Sequence, residues 1–443
     1  MKTSLETLED NKVKLLVEVE EAEFEPELES AFKRISQEIS LPGFRKGKAP
    51  RSVIEARIGS QHARDEAFRT SLPDFYSKAV DELEVDVIAP PEIDITEGQE
   101  EGPIHFEAIV EVRPVIEVSG YKDVEVEVEP LAVTDDDVQE AIDSIRKRTS
   151  ELNEVERAAA DGDSVNIDIE TTHKDEEIEG FTTSGYAYEV GSGQTLEEMD
   201  KNLVGVSAGD EVSFDAKHPD EEETEPLKIK VKVNTVSEVV LPEVTPEWVK
   251  DNSEFETAEE LTAEYRSRLE KAKVNQAGIH ARNELSERIA ELVGEDVVPQ
   301  SMIDTQADNR LQEMAMRLQQ QGIDFQQFLE ISGQDSGAMM DEVKETAKVT
   351  AKLDLALRSI AEKEGLSVSD AEVDEEFAKI GAQMGKTADE IRSEFGESSH
   401  IKGLSADILK SKTMDWLVDN ISIKDSNGKA ITAADLEIIE EES

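Results

Sequence analysis

A chain of 443 residues is longer than one hydrophobic core ordinarily organises, and it predicts roughly two to four domains. With 104 Asp and Glu against 47 Lys and Arg, the formal charge is −57. That repels nucleic acid and anionic lipid over most of the surface and favours solubility. Cysteine is absent, which excludes disulfides, thiolate nucleophiles and cysteine metal sites and suits a reducing compartment.

The opening residues, MKTSLETLEDNK, mix acids and bases around no apolar core, so no signal peptide is expected. No apolar run approaches the roughly 18 residues needed to span a bilayer. The expectation is a soluble, cytoplasmic protein with no membrane partner.

Residues 12–20 alternate Val13, Leu15, Val17 and Val19 on one face, the period of a half-buried strand. A helical pattern opening at Pro26 carries Leu28, Phe32, Ile35 and Ile39 and stops at Pro42-Gly43. Two more follow, one after Pro50 and one around Phe68, Leu72, Phe75 and Val80. Ile104, Phe106, Ala108, Val110 and Val112 then alternate as another strand. Strands outside a helical middle predict a compact α+β domain over 1–113.

Residues 114–158 read as a connector: an extended stretch through Val124, Val126 and Val128, then a helix starting at Thr134 with Asp137 and running to about Arg157. Over 159–242 short strands (165–170, 186–190, 211–216, 227–233) are punctuated by glycines, predicting a small antiparallel β domain. From 243 to 443 the pattern is helical. Starts are marked by Thr257/Glu260, Pro299, Ser369/Glu372 and Thr387/Glu390, a last helix covers about 406–420, and the end is an acidic tail.

The sharpest local feature is LPGFRKGKAPRSVI at 41–54. Arg45, Lys46, Lys48 and Arg51 stand there with no acid, in a chain of charge −57. Two glycines permit tight backbone geometry and two prolines stiffen the ends. Phe44 beside these cations suits docking on phosphates and a protein groove together. An ordinary solvated basic turn has the same composition; the acidity of the surrounding chain sets this one apart. The glycine spacing is one residue short of a phosphate-binding loop, and Ala49 stands where Ser or Thr would hold magnesium, so nucleotide binding is excluded. The six histidines are scattered without metal-ligand spacing.

GFRKGKAP, placed between helices of an N-terminal α+β domain, resembles the ribosome-docking signature of bacterial trigger factors. The domain order is similar too: docking domain, connector, inserted FKBP-like domain (162–170, 189–193, 203–212 and 240–243 in family order), then a large all-α region. The resemblance covers essentially the whole chain. It implies that Phe44, Arg45 and Lys46, with Lys48 beside them, contact the large ribosomal subunit near the tunnel exit, protein and rRNA alike, while Gly43, Gly47 and Pro50 shape the loop. It further implies nascent and unfolded polypeptides as clients, a role in folding and export, no cofactor, and a homodimer as a further state off the ribosome.

In the FKBP-like domain the resemblance implies a prolyl pocket at Tyr186, Leu196, Met199 and Ile229. Such pockets hold a twisted X-Pro bond and need no acid, base or metal to lower a barrier of roughly 18–20 kcal/mol. Here the usual aromatics are replaced by Ile169, Ile178, Met199 and Ile229, with Tyr186 retained, and the usual Ile-Pro-Gly-Phe-Glu segment reads Leu196-Glu197-Glu198-Met199-Asp200. The expectation is a weakened or lost isomerase on a retained fold. Seven of nine methionines (302, 314, 316, 339, 340, 384 and 414) lie in the helical region, where they either fill the core or adapt to irregular clients. Two rival readings remain: a working prolyl isomerase with delivery domains, and a holdase that never meets the ribosome.

Overall fold

The computed structural model describes residues 1–39, 44–173, 176–177, 182–193, 195–217, 226–332, 335–395 and 398–437. Gly43 with Pro42, Ile178, and the acidic tail from 438 onward lie outside them. The chain forms two units, Met1–Val128 with Ile279–Ala434, and Glu129–Gly278 with Asp435–Ser443.

In the first unit β1 (Lys2–Thr7) and β2 (Lys12–Val19) precede helices α1 (Glu21–Glu38), α2 (Arg51–Ile58) and α3 (Ser60–Glu82), followed by β3 (Glu92–Glu97) and β4 (Ile104–Glu111). The strands form one antiparallel sheet in the order β1-β2-β4-β3. The alternating residues of β2 and β4 are buried as their period requires, and Phe68 of α3 meets Phe106 edge-on at 5.7 Å. Helix α1 starts five residues before Pro26, not at it. Phe24 and Leu28, one turn apart, are both buried, and that extended apolar stripe tolerates the hydrogen bond the proline removes. Buried Arg64 donates to the Gly98 and Gly102 carbonyls at 2.9 and 2.6 Å and so fixes the β3–β4 turn.

The connector forms β5 (Glu125–Val128) and then α4 (Asp135–Arg148). The capping box is as read: Thr134 Oγ1 accepts from the Asp137 amide at 3.1 Å, and Asp137 accepts from the Thr134 amide at 2.8 Å. The helix does not reach Arg157. Thr149 and Ser150 hydroxyls donate back to the Arg146 and Lys147 carbonyls, closing it, and the next residues pair as strand β6 (Glu151–Glu154).

The strand-rich middle contains β7 (Ser164–His173), β8 (Glu176–Glu177), β9 (Thr183–Glu189), α5 (Glu197–Leu203), β10 (Glu211–Ala216) and β11 (Leu227–Val240). Its antiparallel sheet runs β10-β11-β7-β8, with β6 on β11 and β9 on β7. Val165, Ile167, Tyr188, Leu203, Val231 and Val233 are among its core. Helices α6 (Pro246–Asn252) and α7 (Ala258–Glu291) follow. Lys273 of α7 donates to Asp137 at 2.7 Å, holding that carboxyl down at about 2.

The rest of the first unit is mostly helical: α8 (Gln300–Gln320), α9 (Phe325–Ser332), α10 (Ser336–Glu364), α11 (Asp370–Met384), α12 (Ala388–Phe395) and α13 (Ser398–Asn420). The capping boxes at Ser369/Glu372 and Thr387/Glu390 both form. Beyond α13 the chain turns into β12 (Ser422–Asp425) and β13 (Ala430–Ile431). There β12 pairs parallel with β5 of the connector. Among the described residues no helix is long and apolar enough to cross a membrane.

Two groups of contacts tie the N-terminal sheet and the connector to α10. Arg113, just past β4, donates to Asp354 at 2.5 Å and to Asp86 at 2.8 Å. Asp354 is almost fully buried and also meets Arg358 and Lys410, each at 3.3 Å. Further along, the Val118 amide donates to Ser359 at 3.2 Å and the Tyr121 hydroxyl to Glu364 at 2.5 Å. Burial and Glu364 together push the Tyr121 hydroxyl up to about 12.

Replacing Asp354 by Ala leaves three cations facing one another without their common acceptor. The expected loss is about 3 kcal/mol, read as a lower urea midpoint by Trp416 fluorescence in a Trp248→Phe background. The Lys273–Asp137 contact predicts a pH effect. Because folding depresses the Asp137 pKa from 3.8 to about 2, its stabilisation is complete at neutral pH and fades only as pH falls through that window. The difference in thermal midpoint between wild type and Asp137→Asn should therefore be constant from neutral pH down to about 4 and shrink below it.

Candidate functional site

The loop after α1 is held by few bonds. The Gly47 amide donates to the Ser36 carbonyl at 2.7 Å and the Lys48 amide to the Arg45 carbonyl at 2.9 Å. Gly47 takes φ +75°, a left-handed conformation that favours glycine, while a Cβ there would make only ordinary contact with Gln37 Cγ at 3.4 Å. Pro50 is the N-cap of α2.

The four cations counted in the sequence divide three to one. Arg51 lies 4.7 Å over the Phe32 ring and pairs with Glu25, which turns it back onto the domain. Arg45, Lys46 and Lys48 are exposed and make no ion pair among the described residues. Phe44 beside them is 41% exposed. An exposed aromatic and three uncommitted cations on one short loop can grip an anionic surface that also offers an apolar recess.

The residues nominated for a prolyl pocket gather on one domain but differ in exposure. Tyr186 stands on β9 opposite Ile167 and is 39% exposed. Leu196 caps α5 and is half-buried against the core. Met199 and Ile229 are buried, each 3% exposed, inside that core. Ile169 is half-buried beside them. Among the described residues, the cleft that Ile229 does line, of about 370 Å³, is walled by Glu170, Thr172, Asp215 and Lys228 rather than by Tyr186, Leu196 or Met199.

Asp200, which the sequence shows only as the last residue of the Leu196-Glu197-Glu198-Met199-Asp200 segment, organises this region. Its carboxylate accepts from the Tyr188 hydroxyl at 2.6 Å and from the Gly191 and Gly193 amides at 2.7 and 3.0 Å. Burial opposes its charge, yet these three donors together keep its pKa below the ordinary aspartate value. Gly191 has φ +85°, and a Cβ there would overlap Asp161.

The methionines of the helical region also divide. Met302, Met339 and Met414 are buried, whereas Met316, Met340 and Met384 are exposed. Phe325 at the start of α9 is exposed as well. Adaptable apolar side chains thus remain in water on α8, α9 and α10.

Two family models match the chain. Bacterial trigger factor protein covers residues 1–145, and bacterial trigger factor protein C-terminus covers 257–419. The trigger factor of Bacillus subtilis (strain 168) is 36% identical over 427 residues, spanning 95% of this chain and 100% of that one. That of Streptomyces avermitilis is 34% identical over 437 residues, spanning 98% and 94%. A solved structure described as "Promiscuous Substrate Recognition in Folding and Assembly Activities of the Trigger Factor Chaperone" shares 22% identity over 94% of this chain and 99% of that one, with a TM-score of 0.43. The chain belongs to the trigger factor family.

Proposed function

We propose that the chain docks on the large ribosomal subunit near the tunnel exit through the 43–50 loop and shields nascent polypeptides without nucleotide. Membership of the family supports the chaperone role. The observation that carries the docking reading is the division of the loop cations: Arg51 is tied to Glu25 and Phe32, and Arg45, Lys46 and Lys48 stand free beside Phe44. Residues 1–113 serve as the docking domain, 114–158 as connector, 159–242 as the FKBP-like domain and 243–443 as the client-binding region. The exposed Met316, Met340 and Phe325 suit weak, reversible contact with varied apolar segments.

Prolyl isomerisation is a minor activity in this reading. Met199 and Ile229 fill the core, leaving Tyr186 and the edge of Leu196 to meet a proline. A shallow surface of that kind holds a twisted amide poorly.

Two outcomes follow. Wild-type chain should pellet with 70S ribosomes at moderate salt, and Phe44→Ala/Arg45→Ala/Lys46→Ala should remain in the supernatant; equal pelleting would hand the case to the ribosome-independent holdase. Turnover of an X-Pro peptide should be slow, and restoring the family's Ile-Pro-Gly-Phe at 196–199 should raise it about tenfold, equivalent to about 1.4 kcal/mol of barrier. Fast turnover by the wild chain would place isomerisation first.

A further inference from the structure

The docking loop carries three free cations on a particle that is strongly anionic almost everywhere else. Residues 1–113 alone contain 26 acidic against 14 basic side chains, and the whole chain is at −57. Several other cations of residues 1–113 are already committed, and Lys12, Lys33, Arg34, Arg57 and Lys78 stand exposed among the surplus of acids. Lys2 pairs with Glu18, Lys14 with Glu107, Arg69 with Glu66, and Arg113 with Asp86 and Asp354. Arg64 is buried on carbonyl groups. The attractive charge is therefore local, and the repulsive charge is spread over the molecule.

These two charges are screened over different distances. The repulsion between a −57 chain and a ribosome rich in phosphate acts across tens of ångströms. At about 0.01 M salt the screening length is roughly 30 Å, so approach is opposed; at 0.15 M it is roughly 8 Å and the opposition is cut back. The contacts of Arg45, Lys46 and Lys48 act at a few ångströms and survive that screening. They weaken steadily as salt rises, three phosphate contacts giving log K a slope of about −2 to −3 against log salt, and this loss takes over once the long-range repulsion has been screened.

We infer that ionic strength regulates the docking loop in both directions, with ribosome binding rising from low to moderate salt, passing through an optimum and falling beyond it. This rests on the docking role proposed for the loop. A chain whose whole surface attracted the ribosome would bind best in the lowest salt. Here the lowest salt exposes the ribosome to the entire anionic surface before the loop can engage. The device needs no ligand site, since the difference in range between dispersed and local charge sets it.

The test uses full-length chain, labelled at one introduced cysteine, since the chain has none of its own. Association with vacant ribosomes is followed at low fixed magnesium over total ionic strengths, magnesium included, of about 0.01 to 1 M, across which the screening length falls from about 30 to 3 Å. The association rate should climb about tenfold to an optimum near 0.1–0.2 M, and affinity should fall steeply above it. A charge-reduced chain, Glu29→Gln/Glu100→Gln/Glu101→Gln, keeps the loop intact. It should associate faster than wild type at the low-salt end and equally at the optimum.

Affinity that declines steadily from the lowest salt overturns the inference and leaves docking standing. A low-salt limb accompanied by loss of helical circular dichroism, or unaltered in the charge-reduced chain, also overturns it. No binding at any salt, or equal binding by Arg45→Ala/Lys46→Ala/Lys48→Ala, removes the docking reading itself.

Discussion

The larger unit is organised around one buried carboxylate. Asp354 receives Arg113 from just past the N-terminal sheet, Arg358 from its own helix and Lys410 from α13. An isolated charge at that depth would shed its ionisation or expel itself into water. Supplied with three cations it instead fixes a direction for each element that provides one. The sheet follows Arg113, the connector lies along α10 through Val118 and Tyr121, and α13 is held by Lys410. Hydrophobic burial supplies the bulk of stability but little direction. The ion cluster gives the packed elements their register, as buried polar groups do where many apolar packings would serve equally well.

Charge also governs how the surface can be used. A chain this acidic cannot present a broad basic face, so cations have to be sorted. Lys2, Lys14 and Arg113 are neutralised at short range, and the loop after α1 keeps three cations together. Arg51 shows the sorting within a single motif: four residues match the basic pattern, and one of them is a stacking and pairing residue of the fold. Residue types alone set the sign of the motif. The coordinates assign each cation to fold or to surface.

The mostly helical C-terminal part, the strand-rich middle and the α+β start were legible because their signals are local. Thr134, Ser369 and Thr387 mark helix starts by bonds spanning three residues, and those bonds are present. What was illegible depends on distant partners. The strand KTSLET has no alternation of its own, and β1 exists because β2 offers an edge. The strand at 151–154 looked like the end of a helix, since nothing in ELNE reveals β11 eighty residues away. For the loop, sequence supplied residue types and order, but not the commitment of Arg51. In the strand-rich middle it did not show that Met199 and Ile229 fill a core, or that Asp200 gathers three donors.

The pairing of β5 with β12 carries a consequence for biosynthesis. Lys424 meets Glu125 across 299 residues of chain, and the connector strand has no other strand partner among the described residues. During translation the strand-rich middle, contiguous in sequence, can close as soon as it clears the tunnel. The connector strand cannot. It must wait for almost the whole remainder of the chain, roughly 15–60 s at about 5–20 residues per second. Through that interval Val126 and Val128, buried in the finished molecule, stand in water. A member of a chaperone family thus spends part of its own synthesis with core residues uncovered.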